Sequence, residues 1–290
     1  MKKILFNSIN PKQKIEITKK IYSKKLFFQE QVIKNKYFKS VDISEYAIYL
    51  RLQIIRLLQE KKIVKNNFNG DLENLHKYVN KELKNYHYGT NKLSSFFYNT
   101  DKKFKDTYIE LIKFLKKKCF NFSFYYQKTP TIRLPMPGGK NRSHFPHYHS
   151  DLTLGHPFEM INIWFPLTIL NKKDFHSFTM INFKNSKRIL KKYNFNLEKF
   201  YENKNLNKQN FNKSFDKFAF KVDTQFGKAL IFDSRCLHSS QEPINQTRVS
   251  IDVRILPDKA FQASKYYHIG LGRKKSVFLP GKNYSSELIT

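Results

Sequence analysis

Four of the nine histidines fall between positions 144 and 156: His144, His147, His149 and His156. Residues i and i+2 of an extended chain share a face, so His147, His149 and Asp151 point together. The His149-x-Asp151 pair leaves a divalent cation at least one protein ligand short. The segment from Gly227 to His238 reads as a strand ending in a histidine, and His238 is the candidate for the missing ligand. Two imidazoles and one carboxylate on one side of an ion leave positions open opposite, where a co-substrate and O₂ can both bind. The chemistry this predicts is metal-centred and oxidative.

Ten residues beyond His238 comes Arg248-Val-Ser-Ile-Asp-Val-Arg254. Alternation puts Arg248, Ser250, Asp252 and Arg254 on one strand face and Val249, Ile251 and Val253 on the other. An arginine fork beside a hydroxyl is shaped to hold a carboxylate, which suits the far end of a metal-chelating keto acid. Arginine is scarce here, nine against 45 lysines, in a 290-residue chain of net charge +31. Lys, Asn, Ile, Phe and Tyr share A/T-rich codons, so nucleotide bias accounts for the lysines, which are scattered rather than massed on one motif. The charge therefore does not call for a nucleic-acid partner, although a basic surface attracts anions whatever its origin. An arginine that persists against the bias sits where lysine will not serve.

These residues need strands to hold them. After Cys119, short segments rich in β-branched and aromatic residues alternate with Pro, Gly, Asn and Asp: 120–126, 131–134, 160–167, 177–181, 218–222, 229–232 and 248–256. Many short strands without intervening helices predict an antiparallel sandwich or jelly roll. Before Cys119 the chain reads helical, with a capping box at Asp42 and Glu45 and 3.6-residue stripes over 43–58, more weakly over 71–83, and again over 101–118. The division expected is a helical scaffold over 1–119, a catalytic core over 120–256 and a tail over 257–290 that packs back on the core. Within the core, the Lys/Asn-rich segment 182–216 reads as a lid-like loop with a short helix near 196–202. Two cysteines exclude a disulfide scaffold. The absence of a long apolar run and of a signal-like leader predicts a cytoplasmic protein without a membrane span.

On the residues just named, the chain resembles the iron(II)- and 2-oxoglutarate-dependent dioxygenases. Within them it is similar to the branch with phytanoyl-CoA hydroxylase-like and streptomycin-biosynthesis (StrG-like) members. That closer similarity lies in Pro130-Thr-Ile-Arg133, Gly155-His-Pro157, Ile161-Asn-Ile-Trp-Phe-Pro-Leu-Thr168 and Asn245-Gln-Thr-Arg-Val-Ser250, and spans about 126–256. The resemblance implies a double-stranded β-helix core flanked by helices, with Fe(II) on His149, Asp151 and His238. It further implies 2-oxoglutarate held by Arg248 and Ser250, with Asn162 and Arg133 as further contacts. The activity implied is oxidative decarboxylation of 2-oxoglutarate to succinate and CO₂, coupled to hydroxylation of a small polar metabolite such as a sugar, aminocyclitol or glycan precursor. A carboxylate at Asp151, where related halogenases have a small residue, favours hydroxylation over halogenation.

Other readings stay open at this level. Arg248 has the alternative of an ion pair with Asp252, and Arg254 that of pairing rather than binding ligand. Arg133 suits substrate as well as co-substrate. His144, His147 and His156 read as supporting groups, Trp164 as packing and Cys236 as a small buried apolar residue. A cupin-type isomerase using His147 and His149, an AlkB-like nucleic-acid demethylase and a binding jelly roll without catalysis are the rival functions.

Overall fold

A computed structural model describes residues 9–24, 38–87, 90–140, 148–171, 178–206, 208–223, 225–240, 243–264 and 278–290. The major sheet has six strands. These are β1 (Phe38–Asp42), β2 (Phe124–Tyr126), β3 (Thr131–Arg133), β4 (Ile161–Pro166), β7 (Lys228–Asp233) and β9 (Ser250–Pro257). They pair antiparallel in the order β1-β7-β4-β9-β2, with β3 also on β9. A second antiparallel sheet joins β8 (His238–Ser240), β5 (Phe178–Ile181) and β6 (Ala219–Val222), with β5 central. The architecture is mainly antiparallel sheet with helices.

Register explains how one sheet serves two purposes. Arg254, Asn162, Phe232 and Phe38 form a row across four strands, and Asp252, Trp164, Leu230 and Ser40 form the next row on that face. Between them, on the opposite face, Val253 pairs with Ile163, Ile163 with Ile231, and Ile251 with both Phe165 and Ile132. The aliphatic face joins the main core cluster, which also takes in the buried stripes of α2 (Ser44–Glu60) and α3 (Lys102–Cys119). α3 starts where Asp101 accepts from the Phe104 amide at 3.0 Å, and buries Phe104, Tyr108, Leu111, Ile112 and Leu115. α2 buries Ala47, Leu50, Ile54, Leu57 and Leu58, the predicted stripe. The other face carries Trp164, Leu230 and Phe232, which cluster with Phe178, Met180 and Val222 of the second sheet.

Several elements differ from the sequence expectations. A helix α1 (Pro11–Ser23), capped by a reciprocal Asn10–Gln13 box, and strand β1 were not anticipated in the N-terminal region. The Asp42–Glu45 box does not form, because Asp42 ends β1 and its carboxylate caps the Ser44 amide instead. The stretch over 71–83 makes only 3₁₀ turns, at Leu75–Lys77 and Lys81–Lys84. Segment 182–216 is three helices, α4 (Phe183–Lys192), α5 (Leu197–Leu206) and α6 (Lys208–Asp216), rather than a loop with one short helix. Phe200, Phe211 and Phe215 pack together between them. After β9 comes α7 (Asp258–Gln262), and the last residues run along β2, where Phe124 and Ile289 exchange backbone hydrogen bonds. No helix among the described residues is long and apolar enough to cross a membrane.

Candidate metal centre

His149, Asp151 and His238 come together from two separate parts of the chain, with one ligand atom from each within 4.8 Å of the others. Backbone pairing does this. The His149 amide donates to the His238 carbonyl at 3.1 Å and the His238 amide to His149 at 2.9 Å, so His149 sits beside β8. The Asp151 amide then donates to the Ser234 carbonyl at 3.2 Å, which aims the carboxylate at both imidazoles. Its Oδ1 lies 3.9 Å from His149 Nε2 and 3.7 Å from His238 Nε2.

This geometry suits a cation. Both separations are under twice a metal–ligand bond of about 2.1 Å, so one ion can touch each pair. Asp151 Oδ1 is buried without a hydrogen-bond partner, an arrangement that costs free energy unless something positive fills it. With its proton on Nδ1, His238 donates to the Cys236 carbonyl at 3.0 Å, leaving the Nε2 lone pair for the ion. The donor set, two imidazoles and a carboxylate, is the one that suits non-haem Fe(II) with open positions.

Arg254 fixes the remaining carboxylate oxygen. Its Nε donates to Asp151 Oδ2 at 2.9 Å, while Nη1 donates to Gln127 Oε1 at 3.1 Å. Burial alone would raise the Asp151 carboxyl, but Arg254 and then the neighbouring imidazoles outweigh it and hold the group well below the usual carboxylate range. Arg254 thus takes its ion-pair alternative, with Asp151 as partner, while Arg133 donates from Nε to Asp252 Oδ2 at 2.6 Å.

The triad opens onto a cavity between the sheets, with about 420 Å³ of empty space counting its opening to solvent. Arg133, Asn162, Asp252 and Arg254 supply polar lining, and Trp164, Phe178 and Phe232 an apolar wall. Both side-chain polar atoms of Asn162 are buried without hydrogen-bond partners, as is Ser250 Oγ on the same sheet face. Arg248 comes two residues before Ser250, next to the start of β9. It is 1% exposed, its amide donates to the Pro135 carbonyl at 3.0 Å, and neither it nor Ser250 is among the residues lining the cavity. Across from Ser250 stands Arg133 of β3, brought there by the β3–β9 register.

His156 stacks on Phe278 at 4.1 Å with Tyr284 Oη 3.4 Å from its Nδ1, and it is not among the residues lining the cavity. His144 and His147 lie outside the described residues. Cys236 is buried, and burial pushes its thiol well up. Phe178, Phe232 and Gln127 were not anticipated at the site, because only tertiary pairing brings them there.

No protein-family model matches the chain, and no curated protein matches it. Among solved structures it is similar to a prolyl hydroxylase from Trichoplax adhaerens in complex with a hypoxia-inducible-factor oxygen degradation domain peptide. Identity there is 12% over 88% of this chain and 96% of that one, with a TM-score of 0.40. It is also similar to SnoN, a non-heme alpha-ketoglutarate-dependent epimerase from nogalamycin biosynthesis, at 12% identity over 93% and 98% of the two chains and a TM-score of 0.39. SnoK, a non-heme alpha-ketoglutarate-dependent carbocyclase from nogalamycin biosynthesis, gives 9%, 99%, 98% and 0.41. At these scores the functional assignment rests on the site's own residues.

Proposed function

We propose that this chain is an Fe(II)- and 2-oxoglutarate-dependent oxygenase on a double-stranded β-helix core, acting on a small polar metabolite. The observation that carries the reading is the convergence of His149, Asp151 and His238, with an orphaned Asp151 oxygen, at the head of a polar cavity. When bound, iron and 2-oxoglutarate supply oxygen activation: the keto acid is decarboxylated to succinate and CO₂, and an oxygen atom is delivered to a substrate C–H bond.

The chain's own residues then have distinct tasks. His149, Asp151 and His238 would hold the ion, and Arg254 keeps Asp151 ionised by donating to its Oδ2. Asn162 and Ser250 offer buried polar atoms to a ligand on that face. The cavity lining favours Arg133, tethered by Asp252, over Arg248 as the grip on the distal carboxylate of 2-oxoglutarate. Trp164, Phe178 and Phe232 close one side against water, which strengthens every polar contact inside. Hydroxylation of a sugar, aminocyclitol or glycan precursor is the substrate reading, resting on the similarity to the StrG-like branch and on the mixed polar and aromatic lining.

The test is succinate release from 2-oxoglutarate with added Fe(II). The wild type is expected to turn over slowly without a prime substrate, and His149→Ala to abolish release. A wild type that takes up no divalent metal overturns the reading in favour of a binding module. Metal uptake without 2-oxoglutarate binding turns it toward a cupin-type isomerase.

A further inference from the structure

The turn between β7 and β8 leads into His238, and its anchor lies in α1, over two hundred positions earlier in the chain. Arg235, in the middle of that turn, is fully buried. Its backbone amide and the Nε and Nη2 groups of its guanidinium donate to the Asp233 carboxylate at 2.9 to 3.2 Å. Its Nη1 donates to the Ile21 carbonyl at 3.0 Å and the Lys24 carbonyl at 2.8 Å, at the C-terminal end of α1, where the Ile21 carbonyl also accepts from the Lys24 amide at 3.3 Å. The guanidinium lies 4.0 Å over the Phe183 ring, which stacks in turn on Tyr22 of α1.

Tyr22 closes the loop. It is fully buried, and its hydroxyl donates to the Arg235 carbonyl at 3.0 Å and reaches Ser150 Oγ at 3.5 Å. Ser150 stands between the ligands His149 and Asp151, and Asp151 is itself bonded to the carbonyl of Ser234, the neighbour of Arg235. The turn therefore leads straight into one ligand, His238, whose backbone pairs with that of His149, and it hydrogen-bonds the backbone of the third, Asp151. Both ends of this network are side chains whose polar atoms touch none of the three ligand side chains.

A buried arginine pair contributes little net stability against an apolar replacement of similar size. What the five-donor fork supplies is a fixed geometry: three peptide segments, the end of α1, the turn and the start of α4, are held at one angle. We propose that Arg235 and Tyr22 are positioning residues for the metal centre, so that docking of α1 and occupation of the triad are thermodynamically linked. The proposal rests on the metal reading of His149, Asp151 and His238. Linkage is reciprocal: if docked α1 tightens the metal site, metal binding secures α1 by the same factor.

The probe is Co(II) bound to the full chain without oxygen, read by its visible absorption and by titration. Tyr22→Phe keeps the ring and its stacking and removes one oxygen, and Arg235→Lys keeps the charge and removes the fork. Groups that orient metal ligands from behind typically change metal affinity about 10- to 100-fold. The expected result is a weaker Co(II) affinity by about tenfold in Tyr22→Phe and more in Arg235→Lys, with altered band positions in both. Co(II) should also slow tryptic cleavage at Lys19 and Lys20 in the wild type, and less so in the variants. Leu57→Val, which loosens the core under α2 instead, should lower thermal stability and leave Co(II) affinity unchanged. Variants that melt earlier but bind Co(II) with wild-type affinity and spectrum overturn the positioning role alone. A wild type that binds no Co(II) overturns the metal reading and this proposal together.

Discussion

The two faces of the major sheet use the same strands for opposite ends. On one, Ile251, Val253, Ile163 and Ile231 are buried with the aliphatic and aromatic stripes of α2 and α3. On the other, one residue along, stand Arg254, Asp252, Asn162 and Arg133. The aliphatic face needs volume only, since burial stabilises by about 25 cal/mol per Å² whatever the exact partner. The cavity face bears a cost, because a charge held away from water needs a partner: buried Arg254 with Asp151, part-buried Arg133 with Asp252. The difference teaches where function is stored. The second face keeps polar atoms of Asn162 and Ser250 Oγ buried without hydrogen-bond partners, and Asp151 Oδ1 is left in the same way beside it.

The largest effect that can break this contrast is at Asp151. Asp151→Asn keeps the volume and removes the charge that serves both the ion and Arg254. Co(II) affinity should fall by more than about a hundredfold, beyond what a supporting group costs. Folding stability should fall by about 3 kcal/mol, because Arg254 is left buried without an anion. Titration and urea denaturation check the two. Retained metal affinity would make the cavity face a polar core rather than a site.

Arg133 and Arg248 sharpen the comparison within the polar set. Arg133→Met should weaken 2-oxoglutarate binding by about 2 kcal/mol, roughly thirtyfold, the worth of a hydrogen bond to a charged group, with metal affinity kept. Arg248→Met should lower stability and leave that affinity near wild type. The reverse pattern, read by calorimetric titration of 2-oxoglutarate into the metal-loaded protein, would return the grip to Arg248 and Ser250.

How far this was legible in the sequence follows from how local each signal is. The His149-x-Asp151 pair, the strand end at His238 and the alternation from Ser250 to Arg254 are short-range patterns, and the structure brings them to one sheet face or one cluster. The sequence names Arg133 and Arg254, which both line the cavity, but it does not rank the arginines, because Arg133 arrives by pairing with a strand 119 residues away. The helices of segment 182–216 were masked by Lys and Asn, which hide the spacing of Phe183, Ile189, Leu190, Phe200, Phe211 and Phe215. The capping residues at Asp42 and Glu45 were misleading, since strand pairing with β7 claims Asp42 first. Propensity yields to tertiary pairing there.

A third buried carboxyl tests the rule that charge is tolerated only opposite charge. Glu159, 1% exposed and just ahead of β4, has its carboxyl pushed up to about 7 by burial, against which hydrogen bonding, first with Ser264, and then the nearby Lys24 and Arg235 weigh less. Between its ordinary 4.5 and about 7 the unfolded chain has released a proton that the folded chain keeps. Stability should therefore fall as pH rises through that window and stay lower above it. Glu159→Gln removes the loss. Relative to wild type the variant should gain about 2 kcal/mol between pH 5 and pH 8, a discounted value for a shift of this size. Parallel pH profiles in urea denaturation would show that Glu159 has an ionic partner after all.

The smallest effect belongs to the aliphatic face, and it closes the contrast from the other side. Ile251 is fully buried between Phe165 and Ile132, one residue from both Ser250 and Asp252. Ile251→Val deletes a single methylene from the main core and should cost about 1 kcal/mol. Because the side chain points away from the cavity, affinities for Co(II) and 2-oxoglutarate should match wild type within error. Denaturation and titration on the same sample decide it. If ligand affinity drops together with stability, the strand passes strain from one face to the other, and the two faces are one mechanical unit rather than a scaffold with a site mounted on it.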